Sequence, residues 1–270
     1  MTDDSAESVK VDVDIDTTVA HPARVYDYWL GGKTNFAADR AAAEQSIAAN
    51  PDIVPAVRAN RAYLGRAVRQ LVAAGIEQFL DIGTGIPAEG NTHEVAQSAA
   101  PRARVVYVDN DPIVLAHAHS LLKGTPQGRT AYISGDLRHA DAFLRAAADT
   151  LDFARPMGVM LVATLQYLGH GDDPYGIVAQ LMAAVSSGSH LVISHPAGDI
   201  GADRVAASMR RYNERAAVAA TPRSHTAVTR FFDGLQLLEP AVVQLPQWRP
   251  DPDTSSIGPL PMWCGVARKR

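Results

Sequence analysis

The sequence predicts an α/β protein built on a parallel sheet with helices on both faces. An apolar strand over residues 78–82 contains Asp81 and runs directly into the turn Gly83-Thr84-Gly85. A second strand, 105–108, follows the next helix and ends in the carboxylate of Asp109. A strand, a glycine turn, a helix and a second strand with a terminal acid form one half of a nucleotide-binding α/β fold.

The residues ahead of this unit predict an acidic tail and a helical segment. Residues 1–18 are acidic and lack periodic apolar spacing, so we expect a disordered tail. Glycine and proline signals end the helices that follow. These helices are expected over residues 25–30, 37–49 and 52–74. We interpret residues 19–75 as an N-terminal helical cap or lid on a core of residues 76–270.

The core continues the alternation of strands and helices. Short apolar runs predict the strands 78–82, 105–108, 130–134, 159–163 and 190–194. Helical spacing and start signals, among them a capping box at Asn91-Thr92-His93-Glu94, predict the helices 91–100, 111–122 and 175–185. Such alternation requires a parallel sheet with right-handed crossovers.

The last third of the chain departs from this pattern. Helices are expected over residues 202–219 and 224–232. Two late strands, 242–245 and 262–267, are joined by a proline-rich loop. Strands joined in this way can form an antiparallel pair at the edge of the sheet.

Composition and charge exclude several classes of protein. The chain has 270 residues and a formal net charge of −4, with no run of lysine or arginine, which argues against a nucleic-acid partner. Cys264 is the only cysteine, so no internal disulfide is possible. His93 and Glu94 lack a second histidine at helical spacing, and no metal site is expected. Apolar runs are too short for a membrane helix, and the acidic N-terminus is unlike a signal peptide, so we expect a cytoplasmic protein.

The glycine turn formally matches the dinucleotide fingerprint, which leaves two cofactors to weigh. Pro87 and Gly90 lengthen the loop and delay the helix start to Asn91, whereas a pyrophosphate favours a helix that begins within the fingerprint. A carboxylate at Asp81 suits an amino group better than phosphates. The late strand pair also points away from a simple dinucleotide fold. S-adenosylmethionine, which carries an ammonium and a sulfonium but no phosphate, fits these features better than NAD.

The expected cofactor contacts lie at three successive strand ends, where open α/β sheets bind ligands. The turn after the first strand would hold the methionine end, the second strand end the ribose, and the third the adenine. The predicted residues are Asp81, Gly83, Thr84, Gly85, Asp109, Asn110, Asp136 and Leu137.

Longer motifs give the sequence a specific resemblance. They are residues 23–36 (ARVYDYWLGGKTNF), Asn60-Arg61, residues 79–87 with Asn91-Thr92-His93-Glu94, and residues 107–112 (YVDNDP). Over residues 20–268 the chain resembles a class I S-adenosylmethionine-dependent methyltransferase, and more narrowly an actinobacterial S-adenosyl methyltransferase family of unknown substrate. The resemblance implies a Rossmann-like sheet and the cofactor S-adenosylmethionine, but no particular acceptor.

The first of these motifs suggests a lid over the cofactor. Polar and aromatic side chains punctuate a short helix and a Gly-Gly turn ahead of the core. These side chains belong to Arg24, Tyr26, Tyr28 and Asn35. We expect the segment to close over the site and to contact the cofactor through Arg24, Tyr28 and Asn35. The alternative is a helix that packs on the sheet edge, with Tyr26 and Trp29 in the core.

The sequence does not identify a catalytic residue or the acceptor. Gln166, Tyr167, His170 and His195 follow strands four and five and are candidates near the mouth of the site. Strand four lacks the Asn/Asp-Pro-Pro-aromatic signature of methyltransferases that act on nucleic-acid bases, which favours a small-molecule acceptor. The helices of residues 201–234 are expected to shape its pocket. An NAD(P)-dependent oxidoreductase and a non-catalytic S-adenosylmethionine-binding regulator remain the alternatives.

Overall fold

The computed structural model describes residues 15–121, 124–252 and 258–270. The helices in these ranges are α1 (Pro22–Trp29), α2 (Ala37–Ala49), α3 (Ile53–Ala73), α4 (Thr92–Ala99), α5 (Pro112–Leu121), α6 (Ala140–Ala147), α7 (Pro174–Ala184), α8 (Ala202–Asn213) and α9 (His225–Thr229). The strands are β1 (Gln78–Ile82), β2 (Arg104–Asp109), β3 (Arg129–Ser134), β4 (Gly158–Val162), β5 (His190–Pro196), β6 (Gln236–Leu237), β7 (Val243–Gln244) and β8 (Met262–Arg268).

All eight strands form one mixed sheet in the order β3-β2-β1-β4-β5-β8-β6, and β7 also pairs with β8. Strands β1 to β5 run parallel, whereas β8 runs antiparallel to β5, β6 and β7. The chain order reverses between β1 and β4, which opens a crevice at their carboxyl ends. The predicted Rossmann-like sheet with an antiparallel C-terminal pair is confirmed. The two-residue strand β6 was not expected, because two residues give no periodic signal.

The strands are apolar on both faces because helices cover both sides of the sheet. Along β1, Leu80 and Ile82 face a core that contains Phe143 of α6 and Leu181 of α7. Phe79 faces the opposite core, which is closed by α3 and α4. This alternation within one short strand fixes the register of β1 and therefore the position of the turn that follows it.

Helix α3 is anchored to the sheet by two buried polar side chains. The Tyr63 hydroxyl lies 3.1 Å from the Ile193 carbonyl oxygen and 2.8 Å from that of Gly265. Farther along the same helix, Arg66 donates from Nη2 to the Leu245 carbonyl at 2.7 Å. Its Nε donates to the carbonyl of Trp248 at 3.0 Å. These bonds hold α3 against β5, β8 and the segment after β7.

The N-terminal helices α1 and α2 pack against α8, away from the middle of the sheet. Val25 and Ala42 lie in a small core with Tyr212. The Ser208 hydroxyl donates to the Ser46 carbonyl at 3.1 Å and joins α8 to α2. Residues 201–213 therefore form a wall that faces the N-terminal helices.

The predicted helix over residues 202–219 was too long. Helix α8 ends at Asn213, whose Oδ1 accepts a hydrogen bond from Ala220 N at 2.8 Å. Its Nδ2 donates to the Ala220 carbonyl at 3.1 Å. Asparagine ends helices readily because its side chain offers the backbone other partners. Likewise, the helix expected over 224–232 is α9 followed by a 3-10 turn, Arg230–Phe232.

Some predictions are not tested by the fold. Residues 1–14 of the predicted tail and residues 253–257 of the proline-rich loop lie outside the described residues. The division into a cap (19–75) and a core (76–270) stays a prediction, as does the cytoplasmic location. Among the helices of the described ranges, none is long and apolar enough to cross a bilayer.

Replacing Arg66 by methionine is expected to destabilise the protein. The change removes two hydrogen bonds from a buried cation and leaves two carbonyl groups without partners, at a cost of about 2–4 kcal/mol. Arg69→Met, one turn along the same helix, breaks an exposed ion pair with Asp251 at 3.1 Å and should cost under about 1 kcal/mol. Thermal unfolding of the two variants measures the difference; equal melting temperatures would contradict the anchoring role of Arg66.

Candidate active site

A cavity opens at the carboxyl ends of β1, β2 and β4, where the chain order of the strands reverses. It encloses about 1050 Å³, counted out to its open mouth. We call it the strand-end cavity. Eight of the residues that the sequence predicts as cofactor contacts line it: Asp81, Gly83, Thr84, Gly85, Asp109, Asn110, Asp136 and Leu137.

The turn after β1 requires glycine at two positions. Gly83 has φ +73° and Gly85 has φ +67°, in the left-handed region that disfavours other residues. A Cβ at Gly83 would also overlap the side chain of Thr164. At Gly85 the space is open, with no atom within 4 Å of the Cβ position. The backbone at Gly85 can therefore approach a ligand closely.

Asp81 is a buried carboxylate at the base of the cavity, only 4% exposed. Its Oδ2 accepts a hydrogen bond from the Thr92 hydroxyl at 2.6 Å. Burial raises the pKa of Asp81 to about 6, although the bond from Thr92 and the charge of Arg61 oppose the rise. Among the described residues, no cation lies within 4.0 Å of this carboxylate to form an ion pair. The site therefore favours a cationic ligand group.

Asp109, at the end of β2, is also buried, and it braces the glycine turn. Its Oδ2 accepts a hydrogen bond from Gly85 N at 2.7 Å, and its Oδ1 accepts one from Asp111 N at 2.9 Å. Burial raises the pKa of Asp109, while these two backbone bonds oppose the rise. Two further lone pairs remain on the carboxylate, which can accept from ligand hydroxyls.

Asp136 begins a 3-10 turn, Leu137–His139, after β3. Its Oδ1 accepts from Arg138 N at 2.8 Å, and its Oδ2 lies 3.1 Å from Arg138 Nη1. Arg138 is held in turn by Asp172 at 2.9 Å. The ion pairs are about a third exposed, so they serve to orient this rim of the cavity more than to stabilise the fold.

Arg24 does not line the cavity. Its guanidinium donates to the carbonyl groups of Asp16 and Val19, both at 3.0 Å, and its Nε lies 3.4 Å from Asp39 Oδ1. The side chain is 4% exposed and ties the start of the described chain to α2. The expectation that Arg24 contacts the cofactor is therefore corrected to a bracing role in the N-terminal segment.

Tyr28 and Asn35 also lie away from the cavity. The Tyr28 hydroxyl donates to Glu44 at 2.9 Å, and Asn35 Nδ2 donates to Asp27 at 2.8 Å. Instead, the cavity is lined from this segment by His21, Pro22, Ala23 and Tyr26. Residues three or four positions apart share one face of a helix. Pro22, Ala23 and Tyr26 lie on the face of α1 toward the cavity, and Arg24 and Tyr28 lie on a different face.

Arg61 lines the cavity and had no role in the sequence-based assignment, although the Asn60-Arg61 pair is part of the resemblance. Its Nη2 donates to the Glu89 carbonyl at 3.0 Å. Its Nε is buried and has no hydrogen-bond partner among the described residues. A buried guanidinium nitrogen without a partner points to an acidic ligand group.

A chain of hydrogen bonds joins the end of β4 to helix α1. Ala163 N donates to Ser194 Oγ at 3.0 Å, and Ser194 Oγ donates to Asn60 Oδ1 at 2.6 Å. Asn60 Nδ2 donates to Tyr26 Oη at 2.9 Å, and that hydroxyl lies 3.4 Å from the Val57 carbonyl. Ala163 has φ +54°, a strained conformation for a residue with a Cβ. This series of hydrogen bonds holds the strained residue Ala163 in the cavity wall.

His195 is not available as a general base. It is fully buried, and burial lowers its pKa to about 3. Nδ1 lies 2.9 Å from the Pro196 carbonyl and Nε2 lies 2.8 Å from Arg223 Nη1. These contacts assign a neutral ring that donates from Nδ1 and accepts at Nε2. Arg223 also donates to the carbonyl of Leu168 at 2.7 Å and so braces the loop after β4.

The other three candidates lie in that loop. Tyr167 lines the cavity, and burial raises its pKa to about 12, so it stays protonated near neutral pH. Gln166 Nε2 donates to the Ala163 carbonyl at 2.7 Å, which adds a second brace on the strained residue. His170 is exposed in a 3-10 turn and does not line the cavity. Of the four, Tyr167 alone is placed to meet a ligand in the strand-end cavity.

Known proteins share the family and the fold of this chain. A family profile described as S-adenosyl methyltransferase matches residues 8–270. The fold is similar to a DUF574 family protein from Streptomyces avermitilis MA-4680, with 43% identity and a TM-score of 0.91 over 94% of this chain and 99% of that one. It is also similar to a candidate methyltransferase from Thermobifida fusca YX, with 38% identity and a TM-score of 0.88 over 97% and 100%. No curated protein matches the sequence.

These matches confirm the resemblance drawn from the sequence motifs. They span nearly the whole chain, so the N-terminal helices and the sheet together share the relatives' architecture. Nothing in them supports an oxidoreductase or a non-catalytic regulator. The chain belongs to the S-adenosyl methyltransferase family and is an S-adenosylmethionine-dependent methyltransferase.

Proposed function

We propose that the strand-end cavity holds the methionine end of S-adenosylmethionine between Asp81 and Arg61, and that the enzyme methylates a small molecule. The main support is that two oppositely charged side chains, Asp81 and Arg61, line the same cavity. Asp81 is a buried carboxylate without an ion-pair partner among the described residues, and Arg61 has a buried Nε without a hydrogen-bond partner. The methionine end bears one ammonium and one carboxylate, which complement these two side chains.

The rest of the cofactor would follow the strand ends. Asp109, with Asn110 beside it, accepts from the ribose hydroxyls. Asp136 and the backbone N–H of Leu137 meet the adenine edge. Burial of Asp109 supports this assignment, because its hydrogen bonds act in a setting of low dielectric constant. The two glycines at 83 and 85 admit the ligand close to the backbone.

The N-terminal segment over residues 21–26 acts as a lid. His21 Nδ1 lies 2.7 Å from Asp111 Oδ2, which joins the segment to the loop after β2. Tyr26 is joined to Asn60 of α3 at 2.9 Å. Pro22 and Ala23, between these two contacts, face the cavity. The segment would exclude water from the bound cofactor, as a closed site requires.

Alignment and exclusion of water are the proposed sources of catalysis. The cofactor, when bound, supplies a methyl group on a positively charged sulfur. In-line transfer then needs an acceptor held in contact with that methyl group more than it needs a covalent intermediate. Tyr167 can orient a ligand as a hydrogen-bond donor. Its raised pKa keeps the hydroxyl protonated near neutral pH, so it does not serve as a base. A small acceptor is favoured because the lid and the loop after β4 enclose the site.

Binding of S-adenosylhomocysteine is expected to weaken in acid. The pKa of Asp81 lies near 6, so its carboxylate is largely ionised at about pH 7.5 and largely protonated at about pH 5. An ammonium group binds the ionised form. The dissociation constant from calorimetry should therefore be flat above about pH 7 and rise by up to about tenfold per pH unit below about pH 6.

The variant Asp81→Asn separates binding from folding. It should weaken S-adenosylhomocysteine binding at about pH 7.5 by roughly 30-fold and reduce the acid dependence. Because the folded-state pKa of Asp81 lies above its unfolded value, its ionisation opposes folding at neutral pH, so the variant should melt no lower than the wild type. Asp149→Asn changes an exposed carboxylate outside the cavity and serves as the control. Unchanged affinity in Asp81→Asn would rule out the ammonium assignment.

The role of Arg61 is testable with a ligand that lacks the carboxylate. Arg61→Met should weaken S-adenosylhomocysteine binding by about tenfold or more, because a charge-assisted hydrogen bond is lost. Decarboxylated S-adenosylmethionine should lose no more than about twofold. Arg58→Met, an exposed position on the same helix, is the control for α3. Equal losses for the two ligands would show that Arg61 acts elsewhere.

A further inference from the structure

A second cavity lies between the N-terminal helices and α8, above the end of β5. Its lining comes mainly from α1, α2, α3 and α8, with the loop after β4, the end of β5 and the start of β8. It encloses about 650 Å³, counted out to its mouth, which is in the range of small-molecule pockets. We call it the apolar cavity.

Four aromatic rings line the apolar cavity: Tyr26, Trp29, Tyr167 and Tyr212. The rings of Tyr26 and Trp29 lie 6.5 Å apart at 70°, and those of Trp29 and Tyr212 lie 6.4 Å apart. Aliphatic side chains complete the wall, among them Ile53, Val57, Val205, Met209 and Met262. Aromatic walls favour flat ligands that stack or meet ring edges, and methionines adapt to irregular shapes.

No charged side chain lines the apolar cavity among the described residues. Two hydroxyl groups in the wall are already engaged: Ser46 Oγ donates to the Ala42 carbonyl at 2.9 Å, and Ser208 Oγ donates to the Ser46 carbonyl at 3.1 Å. A charged ligand would lose its hydration here without a partner in exchange. The cavity therefore selects an uncharged ligand.

The remaining polar side chains of the wall are Asn50, whose Oδ1 accepts from Asp52 N at 3.3 Å, and the tyrosines. The Tyr212 hydroxyl is buried and faces that of Tyr167 without a well-aligned hydrogen bond between them. Buried hydroxyl groups without partners are uncommon, so this pair is suited to share a ligand oxygen. Both tyrosines have raised pKa values, chiefly from burial, and so remain hydrogen-bond donors near neutral pH.

The two cavities meet at Tyr26 and Tyr167, which line both of them. Methyl transfer requires the acceptor atom in near contact with the methyl group of the cofactor. A ligand in the apolar cavity that extends between these two tyrosines would enter the strand-end cavity. The position of the apolar cavity thus meets the requirement for an acceptor site.

We propose that the apolar cavity binds the methyl acceptor, and that this acceptor is an uncharged, planar aromatic molecule with a hydroxyl group directed at Tyr167. The proposal rests on the proposed cofactor site, because it places the acceptor beside that site. It also assigns the four aromatic side chains of the cavity to substrate selection.

The test measures binding without turnover. Enzyme saturated with S-adenosylhomocysteine is titrated into 2-naphthol, a neutral two-ring phenol, and the fluorescence anisotropy of the 2-naphthol is measured. We expect saturable binding, and binding at least about tenfold weaker for 2-naphthalenesulfonate, which carries a charge. Met209→Trp fills the cavity and should weaken 2-naphthol binding at least about tenfold, while the affinity for S-adenosylhomocysteine stays within about twofold.

Ala206→Trp places the same ring at an exposed site of α8 outside the cavity and should leave both affinities unchanged. Should Met209→Trp fail to fold, Trp29→Leu, which removes one aromatic wall, should weaken 2-naphthol binding by about fivefold. No 2-naphthol binding, equal binding of the sulfonate, or equal affinity in the cavity variants would overturn the acceptor site. If the wild type did not bind S-adenosylhomocysteine at all, that result would instead count against the proposed cofactor site.

Discussion

The carboxamide of Asn60 connects the parts of the molecule on which the site depends. It is 2% exposed and makes one hydrogen bond from each end, accepting from Ser194 of β5 and donating to Tyr26 of α1. Asn60 itself belongs to α3, which Tyr63 and Arg66 fix to the sheet. A buried amide with both ends bonded specifies one arrangement of its neighbours, since any other would leave polar groups without partners.

Two consequences follow from this arrangement. Ser194 Oγ accepts a hydrogen bond from Ala163 N, and Gln166 Nε2 donates one to the Ala163 carbonyl. These two bonds hold Ala163 at its positive φ. Tyr26, at the other end, stands in the wall of both cavities. The same series of hydrogen bonds therefore shapes the strand-end cavity and positions the ring that borders the apolar cavity. Binding in either cavity would act on a shared wall.

The sequence predicted what local patterns encode. Asp81 and Asp109 lie at the carboxyl ends of β1 and β2, and Asp136 follows β3. Parallel strands bring their carboxyl ends to one edge of the sheet, so the meeting of these residues in one cavity required no knowledge of packing. The direction of side chains on α1 depends on which face α2 and α8 cover. For this reason Arg24 and Tyr28 were expected at the cofactor and lie elsewhere.

Local sequence patterns do not encode contacts between residues that lie far apart in the chain. Asn60 and Arg61 sit within a long amphipathic helix, and their contacts with Ser194 and Glu89 span the loops and the sheet. His195 is a candidate base from its position near the end of a strand. Arg223, which is distant in sequence, occupies its Nε2 and so excludes that role. A crystal structure with S-adenosylhomocysteine tests the account most directly. We expect the amino group within hydrogen-bond distance of Asp81 and the sulfur on the side of Tyr26 and Tyr167; a sulfur atom turned away from both tyrosines would contradict it.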